Sequence, residues 1–216
     1  MNPLQLILGD EEFLIDRATS SIIRAVRSTM QSNPEELPIT KLRAGDVTPS
    51  EISELLSPSL FAEDRVVILA AAGEAGKEAV STIEQAVKEP APGVVLIVIH
   101  SGGGRAKNLV KILKNAGADV TECPKLTKFS EREDFVVNEF RNLGVRPSRD
   151  TVHALLDAIG GDLRELASAV SQLVADTGGR VDPAAVRRYY AGIAGVTGFQ
   201  VADETIAGNT CLLYTS

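Results

Sequence analysis

The sequence predicts an α/β protein in which a parallel sheet with helical crossovers is followed by a small all-helical domain. Three observations carry this. Up to about residue 126, apolar runs of strand length alternate with stretches whose apolar residues keep the 3.6-residue period of a helix. Beyond that point only helical periods remain. The run "VVLIVI" is apolar at every position, as a central strand covered on both faces must be.

The elements follow in order. "LQLIL" (4–8) has strand length, and from Phe13 to Met30 the residues Ile15, Ala18, Ile22, Val26 and Met30 share one helical face. "LPITKLRA" places Leu37, Ile39 and Leu42 in a loose alternation and reads as a strand. "TPSEISELL" opens a helix, with Thr48 as N-cap and Pro49 at the first position. "RVVILAA" is a buried strand, Lys77–Lys88 a helix, "GVVLIVIH" a strand, "RAKNLVKILKNAG" a helix closed by Gly117, and "ADVTEC" the fifth strand. The helical domain then holds "SEREDFVVNEFRNLG", with Val136, Phe140 and Leu143 on one side. Next comes "SRDTVHALLDAIG", capped by Ser148, with Val152, Leu155, Leu156 and Ile159 inward. "GDLRELASAVSQLV" turns Leu163, Leu166, Val170 and Leu173 to one side, and "DPAAVRRYY" is capped by Asp182 with Pro183 behind it. The division is 1–126 for the α/β domain and 127–195 for the helical domain, with 196–210 opening a further element. The last six residues, "CLLYTS" (211–216), carry neither period and are expected to be an adapter scar, so that the chain is expected to lack its natural C-terminus.

Composition excludes several classes. The net charge of −7 argues against a surface that coats nucleic acid generally. Two cysteines, Cys123 and Cys211, and two histidines, His100 and His153, give neither a disulfide framework nor metal spacing. The start "MNPLQLILGDEEF" has no basic leader, and the apolar runs fall short of the roughly 20 residues of a membrane span, so a soluble cytoplasmic protein with no membrane partner is expected.

A parallel sheet followed by a helical lid is the layout of AAA+ ATPases, which makes the phosphate-handling positions the test. After the first strand a P-loop reads G-x-x-x-x-G-K-[ST]. Here "GDEEF" sets Asp10, Glu11 and Glu12 at the helix start, where carboxylates repel phosphate and already use the helix dipole. After the third strand, Ala70, Ala71 and Ala72 stand where acidic residues would hold Mg²⁺. "AAAGEAGKE" keeps Gly76-Lys77 but has Ala71 for the first Gly and Glu78 for the Ser/Thr, and reads as a turn into a helix. "SGGGRAK" puts Lys107 where G-x-G-x-x-G needs its last Gly, and reads as a flexible turn. No G-x-S-x-G elbow occurs. Cys123 reads as a structural, inert thiol, His100 as structural and His153 as surface or half-buried. No cofactor, metal site or catalytic residue is therefore expected. Two features remain. "SPSLFAED" sets Leu60 and Phe61 side by side among turn formers, so the pair either folds into the core or is kept for a partner. Residues 101–128 hold six basic side chains against Asp119 and Glu122, and Arg105, Lys107, Lys111 and Lys114 form a basic strip that is either a solvated face or a contact for DNA phosphates or an acidic partner.

The order of elements, with "LILGDEEFLIDRA", "LSPSLFAEDRVVIL", "GVVLIVIHSGGG" and "GGDLRELASAVSQL", resembles the delta subunit of the bacterial DNA polymerase III clamp loader over about residues 4–209. The resemblance implies an AAA+-like, P-loop-NTPase-like fold that has lost ATP binding. It also implies a role in replication: binding and opening the beta sliding clamp so that it can be loaded on primed DNA. It assigns Leu60 and Phe61 to insertion into the clamp's hydrophobic pocket, with Pro58 and Ser59 shaping the turn. It implies a helical collar that joins the other clamp-loader subunits; with that collar missing, the chain is expected to bind the clamp without assembling into the loader. Arg164 of "GDLR", which points toward nucleotide in active relatives, is expected in an ion pair. Although the holoenzyme is a DNA-directed DNA polymerase, no polymerase residues are visible. The alternatives are an active AAA+ ATPase and a delta-prime-like or motor subunit; the latter usually carries a Ser-Arg-Cys element or zinc cysteines, and neither occurs here.

Overall fold

A computed structural model of the chain describes residues 1–29, 37–58 and 64–190. The chain divides into two compact units, Met1–Lys125 and the residues from Leu126 onward.

In the first unit five parallel strands form one sheet: β1 (Leu4–Gly9), β2 (Ile39–Arg43), β3 (Arg65–Ala70), β4 (Val94–His100) and β5 (Asp119–Cys123). Their order is β2-β3-β4-β1-β5, so β4 and β1 lie inside and β2 and β5 form the edges. Each crossover holds a helix or leads to one: α1 (Glu12–Thr29), α2 (Pro49–Leu55), α3 (Lys77–Lys88) and α4 (Asn108–Asn115). The two-residue period of the strands sorts the core into two layers. Leu4 and Leu6 of β1, Val67 and Leu69 of β3, and Leu96 and Val98 of β4 pack with Ile52 of α2, Ile83 of α3 and Leu109 and Leu113 of α4. Ile7, Val66, Ile68 and Ile97 point the other way and pack with Ile22 and Val26 of α1. The expected cover on both faces is therefore present, but it is uneven: three helices on one side and α1 on the other.

The caps form as the residues dictate. Thr48 accepts from the Glu51 amide at 3.3 Å, while the Glu51 carboxylate takes the Thr48 amide at 2.8 Å, a reciprocal capping box with Pro49 behind it. Those bonds hold the Glu51 carboxyl below the usual carboxylate range, the backbone bond to Thr48 contributing most. α4 begins three residues later than its period suggests, because the Ala106 amide is taken by the Gly73 carbonyl at 3.1 Å and Arg105–Lys107 form a turn.

The second unit holds α5 (Phe129–Asn142), α6 (Arg149–Ile159), α7 (Leu163–Thr177) and α8 (Pro183–Tyr190). Ser148, Asp162 and Asp182 accept from the amides of Thr151, Glu165 and Ala185 and so start α6, α7 and α8. Val136, Phe140, Val152, Leu155, Leu156, Leu163, Leu166, Val170 and Leu173 are buried as their spacing predicts. Two assignments need correction. Leu143 is 46% exposed: it caps α5 rather than continuing it, so the helical phase no longer carries it inward, and Phe135 is buried in the same helix. Ile159 is only partly buried, at the last turn before Gly160. Met30, expected at the end of the first helix, and the segment 196–216 lie outside the described residues.

Thr48→Ala removes a cap on an exposed turn without opening a cavity. The expected loss is about 1 kcal/mol of stability, read from the denaturant midpoint; a variant as stable as the parent would show that the capping box is dispensable.

Candidate functional site

In an open parallel sheet a ligand sits outside the carboxyl ends of the strands, where the strand order reverses. Here that point lies between β4 and β1, flanked by the β1–β5 contact on one side and the β4–α4 turn on the other. Gly9 ends β1 at φ +148°, and a Cβ there would stand 1.9 Å from the Cys123 carbonyl oxygen. The Glu11 amide, at the start of α1, donates to that same carbonyl at 3.0 Å. An amide that a phosphate would need is thus already used. The Asp10 carboxylate stands beside it, 3.9 Å from the Lys125 ammonium.

On the β4 side His100 is fully buried. The Gly102 amide donates to its Nδ1 at 2.8 Å, which leaves Nε2 to donate to the Ala106 carbonyl at 3.2 Å. Both ring nitrogens are therefore spent inside the β4–α4 turn, and the imidazole faces no cleft. Gly104 of "SGGG" is needed for a backbone crossing. Gly104 (φ +82°) would place a Cβ 2.4 Å from the Gly73 carbonyl, and Gly73 one at 2.7 Å from the Gly103 carbonyl. The expectation of a loose turn gives way to close packing. Ala71 takes the left-handed conformation (φ 51°) to enter the 3₁₀ turn Ala72–Glu74.

Glu74 completes this edge. Its carboxylate takes Arg43 in a bidentate pair, Nε to Oε2 at 2.9 Å and Nη2 to Oε1 at 2.8 Å, and its carbonyl accepts from Arg105 Nε. Arg43 holds the Glu74 carboxyl below the usual carboxylate range, first through that hydrogen bond. Burial pushes the Cys123 thiol up, with Glu122 adding to the effect, as suits an inert side chain. The Arg43–Glu74–Arg105 group joins residues 31 apart on each side, and no local sequence signal announces it.

The basic strip is partly committed. Arg105 is bound to Glu74, and Lys114 lies 3.7 Å from Glu122; Lys107, just before α4, and Lys111 on it are exposed. Of "SPSL", Pro58 is exposed, while Ser59, Leu60 and Phe61 lie outside the described residues. Arg164 is exposed in the first turn of α7 and is engaged by other groups of the chain. His153 is half-buried, its Nε2 3.2 Å from Glu133, which also accepts from Arg149. Among the described residues no group of His, Cys, Asp and Glu could hold a metal ion, and no helix is long and apolar enough to cross a membrane.

His100→Ala leaves the Gly102 amide and Ala106 carbonyl unpaired in a buried site and should cost about 2–4 kcal/mol. Gly104→Ala should destabilise comparably, through a strained φ and a backbone collision. Thermal unfolding of both variants checks this, and near-parental stability in either would show that the turn can relax.

No curated protein matches the chain. Among solved structures, the DNA clamp loader delta protein of Bacillus subtilis superposes with a TM-score of 0.70 at 22% identity, over 87% of this chain and 58% of that one. The chain thus spans under two thirds of that protein's length, and the likeness shows a shared fold. The RuvB Holliday junction branch migration motor of Thermotoga maritima superposes more loosely, with a TM-score of 0.47 at 11% identity over 94% of this chain and 68% of that one. The family model described as DNA polymerase III, delta subunit matches residues 6–124, more than half of the chain. On this match, the chain belongs to the DNA polymerase III delta subunit family.

Proposed function

We propose that this chain binds and opens the beta sliding clamp for loading on primed DNA, as a non-catalytic, cytoplasmic component of the clamp loader. One observation supports this most: where an ATPase of this layout would hold phosphate, the Glu11 amide is bonded to the Cys123 carbonyl and Asp10 stands beside it. An edge filled in this way suits a subunit that acts by binding, and family membership supplies the binding role.

Leu60 and Phe61 are the anchors in this reading, with Pro58 and Ser59 setting their turn. Two large apolar side chains entering a pocket remove area worth about 3–6 kcal/mol, less the cost of ordering them. Anchors of this kind dominate an interface. The other loader subunits are further partners. Lys107 at the N-cap of α4 and Lys111 one turn on, both exposed, are available for primed DNA or an acidic partner, with Arg105 and Lys114 as flanking charges already engaged by Glu74 and Glu122.

Binding to a sliding clamp is the decisive test. The parent chain should bind, and Leu60→Ala/Phe61→Ala should lose several kcal/mol of affinity while keeping its circular dichroism and melting point. A folded parent that does not bind, or a double variant that unfolds, would return the pair to the core. For the basic strip, the salt dependence of DNA affinity should flatten by about one unit of slope for each of Lys107→Gln and Lys111→Gln. An unchanged slope would remove DNA from the list of partners.

A further inference from the structure

A groove of about 460 Å³ runs between the start of α3 and the turn that leads into α4. Lys77, Val80, Ser81 and Glu84 face it from α3, three or four residues apart and so on one stripe of the helix. Arg105, Ala106 and Asn108 face it from the other side. The floor is apolar and built small. Ala75, Val80 and Ala106 are buried there, and the two alanines leave space that larger side chains would fill. The rim is polar and exposed, with Lys77 and Ser81 on α3 and Arg105 and Asn108 opposite.

The charges on the rim do not balance. Glu84 is answered within its own helix, 3.2 Å from the Lys88 ammonium. Glu74, outside the groove, is taken by Arg43 in the bidentate pair. Lys77 makes no ion pair with a described residue, and Arg105 is anchored through Nε on the Glu74 carbonyl, so its Nη groups remain to donate. Lys107 and Lys111, both exposed, add positive charge beside the α4 rim. Two cations over an apolar floor suit an occupant that sets carboxylates around an apolar side chain. A nucleic-acid backbone suits the groove less. It has no apolar group to seat on Val80, and Glu74, Glu78 and Glu84 interleave like charges among the cations. The volume lies within the about 300–1,000 Å³ of pockets that hold small ligands, which leaves room for a few residues of a chain. We propose that the groove is a docking site for an acidic peptide segment of a partner protein. One apolar residue of that segment sits on Ala75, Val80 and Ala106, and its flanking carboxylates meet Lys77 and Arg105. The site stands apart from the clamp-binding reading, and its test uses no clamp.

The test titrates the chain into a fluorescein-labelled peptide, Glu-Asp-Leu-Asp-Glu, and reads fluorescence anisotropy. The parent chain should bind saturably. Lys77→Gln should weaken binding about fivefold, the scale of an exposed ion pair. Ser81→Glu, which sets a carboxylate on the rim, should abolish it. Exchanging the peptide's leucine for serine should weaken it too, because contact with the floor is lost. Both variant positions are exposed on α3, so both proteins should keep the parent's melting point. Should one variant melt early, the other variant and the serine peptide still decide. A folded parent that shows no saturable binding would overturn the proposal. Equal affinity for the serine peptide would do the same, by making the rim a general cationic surface. Unchanged affinity in both variants would overturn it as well, by placing the peptide elsewhere. A short DNA duplex is titrated alongside: if its binding, and not the peptide's, depends on Lys77 and Ser81, the groove belongs to nucleic acid and the proposal falls.

Discussion

At the carboxyl ends of β3 and β4 two turns cross so closely that neither tolerates a side chain at the contact. Gly73 and Gly104 meet there, the Gly73 carbonyl takes the Ala106 amide, and His100 pins the second turn from beneath through Gly102 and Ala106. The start of α4, the seat of Arg105 on Glu74, and the bidentate Arg43–Glu74 pair that reaches the edge strand β2 all depend on this crossing. It is held by backbone hydrogen bonds and shape, and the buried polar atoms of His100 are both satisfied, which is the condition for a buried polar group to be tolerated.

The crossing also bears on function. Ligand sites in parallel sheets form where loops diverge and leave amides unpaired. In this chain the equivalent amides and the terminal histidine of β4 are spent on the protein itself. The carboxyl edge is filled by the protein's own backbone and side chains.

The helical unit obeys a different constraint. Three of its four described helices start at Ser148, Asp162 and Asp182 caps, in α5 the Glu131 carboxylate takes the Lys128 amide, and each helix buries an apolar stripe. Leu143 shows where such a stripe ends. Its spacing from Phe140 suggests an inward position, but α5 ends at Asn142, and Leu143, Gly144 and Val145 fold back on the carbonyls of Phe140 and Arg141. A side chain past the last helical turn loses the periodicity that would have buried it.

Much of this was legible in the chain. Strand-length apolar runs, the Thr48, Ser148 and Asp182 caps and the apolar stripes of α6 and α7 are local signals, set by neighbours within four residues. The acidic "GDEEF" was equally readable as a poor place for phosphate, because like charges at a helix start need no partner to be unfavourable. Tertiary structure alone decided what those signals leave open: that "SGGG" is a close crossing against Gly73 and not a loose turn, and that Glu74 gathers Arg43 and Arg105 from 31 residues away on either side. These are meetings of distant segments, and their geometry is set by the sheet register and the packing of whole elements, which no local stretch of sequence contains.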